Sequence, residues 1–541
     1  TPTLWVSSPK EAQLNRVLPC EKLPVILPTL KNHFVLHLST VSHALIVSRP
    51  LLKVKLHQKD VRGKFWRIIC AMYKDTCVSI GTYLLDVLCV VREGGVSSPT
   101  LFIIWIDDLV RKLKDANIGA HAIFVLICSL LYADDIVLLA ETSTDLQILL
   151  DVVWNYGKKW DFSFGTNKCQ IVFGSFWREP TIEFTFGNHK LEIVGLYRYL
   201  GIQETLNGHD YSLFLAAKLK SVRGRLANVR RVGGFIDGLD PHSMRRLYLT
   251  QIRPIIEFGA TTIPYKSTWL TQLENMQYEC LRQLFGFFPK TKKETMLALV
   301  GLTRIKTRVA QLKLSFFNKL KTFDDSLYLK VLMRESFKPD RRSGLGHDIT
   351  KIYEEFIGFP KFQTDMEANF DVNHVDENYK GFNESVKALL EELDFEYCLE
   401  RLAQSANVRG GGSGQAGRVY AYLANEIYPN LCPLLRLCPR QRKQRTTFIR
   451  AISGCDFLTP HSFKNLPKCK LCGSDGACWK HLLFECPKRD RNALIFGFRE
   501  RLERFQNHKV AQNCLTVLND LDNRHAFHDL TKFAFGLCCT N

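Results

Sequence analysis

The stretch Leu131-Tyr132-Ala133-Asp134-Asp135-Ile136-Val137-Leu138-Leu139 decides the fold. It lies within residues 123–140, two apolar runs broken at Ala133-Asp134-Asp135. Neither run is long enough for a stable helix, and the break is polar, so the pattern predicts a hairpin. Two adjacent carboxylates between apolar strands are costly unless something pairs them. At a hairpin tip a carboxylate can face a cleft and bind a divalent cation; Mg²⁺ takes hard oxygen ligands. The plain alternative is a turn that uses Asp for its turn preference.

Working outward, residues 60–75 read as an amphipathic helix beginning near Gly63. Residues 99–114 read as another, with Pro99 near its start and Leu101, Phe102, Trp105, Ile106, Leu109 and Leu113 at helical spacing. Residues 145–160 are helical again. Gln170 to Phe173, Ile182 to Phe186 and Leu191 to Val194 are short β-type runs, and from Ser212 to about Leu320 the pattern is helical and basic.

The chain has 541 residues, and its 46% hydrophobic content excludes a wholly disordered polymer. No apolar stretch reaches the ~20 residues of a membrane helix, so no membrane partner is expected. No signal-peptide pattern argues for secretion. Thr1 points to a fragment, and the 18 cysteines read as mostly reduced and buried. A net charge of +19 favours polyanions, nucleic acid first. Nothing specifies a protein partner.

With these residues in hand the sequence resembles the reverse transcriptases of non-LTR (LINE-type) retrotransposons. Tyr132-Ala133-Asp134-Asp135 resembles that family's motif C. Arg92-Glu93-Gly94-Gly95-Val96-Ser97-Ser98-Pro99-Thr100-Leu101-Phe102 resembles its template-and-nucleotide box, and Ile106-Asp107-Asp108-Leu109 continues it. Lys159-Trp160 through Asn167-Lys168-Cys169 resembles motif D; Tyr197-Arg198-Tyr199-Leu200-Gly201 resembles the primer grip. The likeness spans roughly 34–204 and weakens towards about 320. It implies two Mg²⁺ ions at Asp134 and Asp135, Lys168 meeting the incoming phosphates, and Gly94, Ser98 and Pro99 shaping the template-nucleotide pocket. It also implies RNA template, DNA primer or target DNA and dNTPs as partners, and a nuclear and cytoplasmic location.

Motif A departs from the family. The aligned stretch runs from Leu38 to Arg49, where Thr40 occupies the catalytic Asp position and Leu45 that of the aromatic gate against ribonucleotides. Neutral Thr cannot replace a carboxylate between two dications. Glu93 stands where Gln is usual and Gly165 where motif D has Asn. The reading is a decayed or truncated element copy. Asp60 or Asp75 could substitute for the lost Asp, but both fall in the helix predicted after the strand.

Cys469-x2-Cys472-x8-His481-x4-Cys486 has the spacing of one tetrahedral Zn²⁺ site. Lys468, Lys470, Lys480, Lys488 and Arg489 surround it, and Cys478 is a competing ligand. Many non-LTR elements end in a similar knuckle. Lys218, Lys220, Arg223, Arg225, Arg230 and Arg231 could track a template-primer backbone. Leu213, Leu215, Leu219, Val222, Leu226 and Val229 between them read as core. Residues 205–320 carry 19 Lys+Arg against 7 Asp+Glu, whereas 351–400 carry 4 against 13, a reversal that marks a boundary or insertion. Arg440 to Arg445 is a candidate nuclear address.

The predicted architecture is α+β, a right-hand polymerase. Fingers and palm occupy 1–204, a helical basic thumb or connection 205–335, an acidic connector or insertion 336–415, and a zinc-knuckle region 416–541. The predicted function is RNA-directed DNA polymerase, impaired in this copy. The alternative is a catalytically dead nucleic-acid-binding remnant of a mobile element.

Overall fold

The computed structural model describes residues 4–5, 34–39, 49–74, 77–80, 83–86, 97–122, 125–132, 135–160, 164–166, 169–173, 183–199, 201–205, 208–209, 211–232, 239–265, 267–287, 289, 291–323, 328–337, 344–356, 379–407, 472–473 and 487. Helix and strand are mixed, and the chain divides into two compact units. One comprises Thr1–Phe214 with Asp325–Glu335, the other Leu215–Asp324 with Ser336–Asn541.

The first unit is built on a sheet whose centre is β2 (Phe34–Ser39). The predicted hairpin is present: β7 (Ser129–Tyr132) and β8 (Asp135–Ala140) run antiparallel with Tyr132 opposite Asp135. Strand β8 also pairs antiparallel with β2, which on its other side pairs antiparallel with β9 (Gln170–Phe173). Leu4–Trp5 (β1) joins β7 at one edge, and Glu192–Ile193 (β12) lies parallel to β9 at the other. Ile136 to Ala140 are all buried, as a strand covered on both faces requires. Four smaller ribbons complete the strands: β3–β4 (Cys77–Ile80, Tyr83–Asp86), β5–β6 (Ala120–Ala122, Val125–Ile127), β10–β11 (Thr185–Phe186, His189–Lys190) and β13–β15 (Leu196–Tyr199, Ile202–Thr205, Gly208–His209).

Among the described residues, four helices accompany this sheet: α1 (Arg49–Gln58), α2 (Gly63–Met72), α3 (Ser98–Asp115) and α4 (Ser143–Lys159). α3 and α4 lie within two residues of their sequence-predicted bounds, and α2 begins at Gly63 as expected but ends at Met72, three residues short of 75. Pro99 sits in the first turn of α3, where its missing N–H costs nothing. The predicted face of α3 is the buried one, Trp105, Leu109 and Leu113 being wholly inaccessible. Thr142 caps α4 by accepting a hydrogen bond from Asp145 N at 3.0 Å. The β10–β11 turn needs glycine: Gly187 has φ +61°, and a Cβ there would lie 2.1 Å from the Trp154 ring.

The described residues of the second unit are mainly helical: α5 (Tyr211–Val232), α6 (Pro241–Leu247), α7 (Arg253–Glu257), α8 (Thr268–Phe285), α9 (Lys293–Val300), α10 (Ile305–Lys321), α12 (Leu345–Phe356) and α13 (Tyr379–Asn407), with α11 (Tyr328–Glu335) assigned to the first unit. Left-handed Gly286 and Gly301 end α8 and α9. Basic α10 is the hub, packed against α8, α12 and α13. Lys313 meets Asp348 at 2.7 Å, Lys306 meets Glu355 at 2.8 Å, and the Arg304 guanidinium pairs with Asp394. Two acids that follow the charge reversal, Glu355 and Asp394, thus pair with Lys306 and Arg304 at the N-terminal end of α10. Leu213 is also a correction, being 45% exposed while Phe214 takes the inward position.

Candidate nucleotidyl-transfer site

Asp135 opens β8 and is half-buried. The antiparallel register puts it opposite Ser39, the last residue of β2. The strands that carry the stretches resembling motifs A and C are therefore direct neighbours, and Ser39 and Asp135 face each other at one end of that pair. Thr40, Leu45, Gly94, Asp134 and Lys168 lie outside the described residues, as does Asp75. Asp60 does not sit in the predicted helix but in the turn after α1, with its side chain 82% exposed and 2.9 Å from Arg62.

Two other segments meet this end of the sheet. Cys169, buried just before β9, donates its thiol to Gly165 O at 3.4 Å. Tyr197 on β13 is half-buried, and its phenol is pushed up to about 12, first by burial and then by the negative charge of Asp135. The strand that resembles the primer grip thus stands within electrostatic reach of the Asp135 carboxylate. That carboxylate is a hard oxygen donor at an accessible strand end, chemistry that fits Mg²⁺. Among the described residues no three His, Cys, Asp or Glu side chains cluster as a metal site.

Ser98 is buried at the start of α3, with Pro99 beside it in the first turn. Nine residues on, the helix carries two acids that anchor it. Asp107 is buried between Lys59 and Arg111, the latter at 2.6 Å. Asp108 accepts from Lys55 at 2.7 Å and from the Tyr156 hydroxyl at 2.8 Å.

Lys55 is the residue that sequence reasoning missed. It is 3% exposed, and its ammonium also donates to Trp105 O. It lies 4.0 Å from the ring centre of Trp160, 4.5 Å from that of Trp105 and 4.8 Å from that of Tyr156. A cation enclosed by aromatic faces recovers part of its lost hydration. Desolvation still dominates and draws the amine down to about 8, against the pull of Asp108. One side chain of α1 thereby ties α3 to α4 and to Trp160, the start of the motif D resemblance. The signal was the aromatic trio itself, which periodicity assigns simply to core.

The six basic residues of α5 separate by environment. Lys218 is buried, 6% exposed, and donates to Ile255 O at 2.7 Å and Phe258 O at 2.5 Å. Its reading as a backbone-tracking cation is corrected: it closes two carbonyls at the end of α7. Lys220, Arg223, Arg225, Arg230 and Arg231 are exposed. Arg223 meets Glu279 at 3.2 Å, and Arg230 meets Gln283 Oε1 at 3.2 Å.

In the candidate zinc knuckle, Cys472 is half-buried and lies next to Gly473, whose φ is +78°. Cys469, His481 and Cys486 lie outside the described residues.

No curated protein matches this chain. Around the Asp135 edge, however, residues 47–203 match the family model of the reverse transcriptases, RNA-dependent DNA polymerases.

Proposed function

We propose that this chain is the RNA-directed DNA polymerase of a non-LTR retrotransposon, transferring a nucleotide from dNTP to a primer 3′-hydroxyl on an RNA template, and that Thr40 impairs it. The observation that carries the reading is the Ser39–Asp135 register inside a sheet that leads into a matched reverse transcriptase segment. Thr40 follows Ser39 in sequence, and the family resemblance expects the third carboxylate at that position.

Asp135, with Asp134, would hold Mg²⁺; bound Mg²⁺ would lower the pKa of the attacking hydroxyl and stabilise the departing pyrophosphate. Tyr197 supplies a low-dielectric wall that strengthens the field of Asp135. Lys168 would neutralise incoming phosphates, and Gly94, Ser98 and Pro99 would shape the floor beneath the templating base. Lys220, Arg223, Arg225, Arg230 and Arg231 would follow the backbone of the template-primer.

Primer extension on an RNA template with Mg²⁺ tests this. The chain with Thr40→Asp should extend, the chain as it stands should be weaker by a factor on the order of 10³, and Asp135→Asn should abolish extension in the repaired chain. Full activity in the Thr40 chain sinks the impairment argument; silence in the repaired chain favours the binding remnant, which Thr40 also supports.

A further inference from the structure

Helix α2 carries apolar side chains on the face it does not bury. Ile69 and Tyr73 turn inward at 7% exposure each, and Trp66 packs partly against the core. Phe65, Ile68 and Met72, spaced i, i+3 and i+7, are 64%, 46% and 41% exposed. Such spacing aligns them as one stripe along ten residues of helix. An outward phenylalanine this accessible gives up most of the free energy its burial would provide.

The charges beside the stripe identify its counterpart. Residues 49–74 hold eight Lys+Arg and a single acid, Asp60, which Arg62 engages. Lys55 is buried, and Lys59 is committed to Asp107. Lys64 and Arg67 are exposed on α2 itself, with no ion pair among the described residues. A flat aromatic ring flanked by uncommitted cations is the composition that binds unpaired bases and their phosphates together. A duplex hides its base faces and would use the cations alone. A protein partner would have to be both apolar and acidic. A bilayer would receive only three apolar side chains from a helix about 15 Å long.

We propose that the outward face of α2 is a landing site for single-stranded nucleic acid, with Phe65 stacking on a base and Lys64 and Arg67 contacting the adjoining phosphates. The site shares no residue with the Asp135 edge or with the basic set of α5. It rests on the polymerase reading only in that nucleic acid must be at hand.

The test uses the full chain and a single-stranded oligouridine RNA containing 5-bromouridine. Photocrosslinking should label the peptide containing Phe65, and a blunt RNA hairpin should not compete. Phe65→Ala should weaken single-strand binding roughly tenfold while leaving hairpin binding unchanged. The double variant Lys64→Gln, Arg67→Gln should reduce the salt slope of single-strand binding by about 1.4. Because all three side chains are exposed, unchanged thermal melts will show that the variants fold. Crosslinks confined to other peptides, or equal competition by the hairpin, overturn the proposal. So does preferential binding of the α2 face to phosphatidylserine vesicles. A chain that crosslinks at Phe65 yet extends no primer after Thr40→Asp refutes the polymerase reading and leaves this one standing.

Discussion

Replacing Lys55 by methionine removes a buried titrating amine and keeps an unbranched stem of similar length against Trp105 and Trp160. The amine is held at about 8 in the fold against a reference value of 10.5. Between those values the folded chain binds fewer protons than the unfolded chain, so stability rises with pH, is complete above the unfolded value, and is lost as pH falls through the folded one. Worked from the two values, the Lys55 contribution between about pH 7 and about pH 9.5 is about 2 kcal/mol. Tyr156 acts in the opposite direction at higher pH, since burial raises its phenol, and the range chosen stops short of its ordinary value of 10.0. The assay is urea unfolding followed by tryptophan fluorescence, because Trp105 and Trp160 lie against the ammonium. The free-energy difference between the native chain and Lys55→Met should shift in favour of the native chain by about 2 kcal/mol over that range. Parallel pH curves would refute the argument that the cage desolvates a charged lysine.

Gly187→Ala should cost about 2 kcal/mol, since the added methyl strikes the Trp154 ring at a positive φ; a melting temperature within a degree of the parent would contradict it. Asp394→Asn removes the charge that binds the Arg304 guanidinium and weakens the bonds from Arg304 N at 3.0 Å and Thr307 Oγ1 at 2.6 Å. The expected loss is about 3 kcal/mol, read by thermal unfolding. Asp135→Asn should lower the Tyr197 phenol from about 12 by the smaller part of its shift, burial keeping the rest, followed by NMR of labelled tyrosine; an unmoved titration would separate β13 from the site. Purified chain should hold one zinc per molecule by elemental analysis, and Cys469→Ser should lose it.

The hairpin around Asp134 and Asp135, α2, α3, α4 and β9 were legible because each is a local pattern, periodic or broken by a polar turn. The sheet order was not, since the pairing of β2 with both β8 and β9 follows from no spacing along the chain. Lys55 and Lys218 show the other limit. Each sits in a run that reads as a solvated face, Leu-Lys-Val-Lys in one and Lys-Leu-Lys in the other. What buries them is far away in sequence: Trp105, Tyr156 and Trp160 for the first, the carbonyls of Ile255 and Phe258 for the second. Leu213 erred by one position of helical phase, enough to exchange it with Phe214. At the candidate site, residue type announced Asp135, but only the register showed which strand stands beside it.

That register also sets a schedule for synthesis. Strand β2 leaves the ribosome as Phe-Val-Leu-His-Leu-Ser, yet the residue that faces Ser39 is Asp135, made 96 positions later. At ordinary elongation rates the wait is on the order of 5–20 s. Through that interval the strand destined for the middle of the sheet has two open edges, a template on which neighbouring nascent chains can pair. Slowing translation between residues 40 and 135 should therefore lower soluble yield, while early chaperone capture of β2 should raise it.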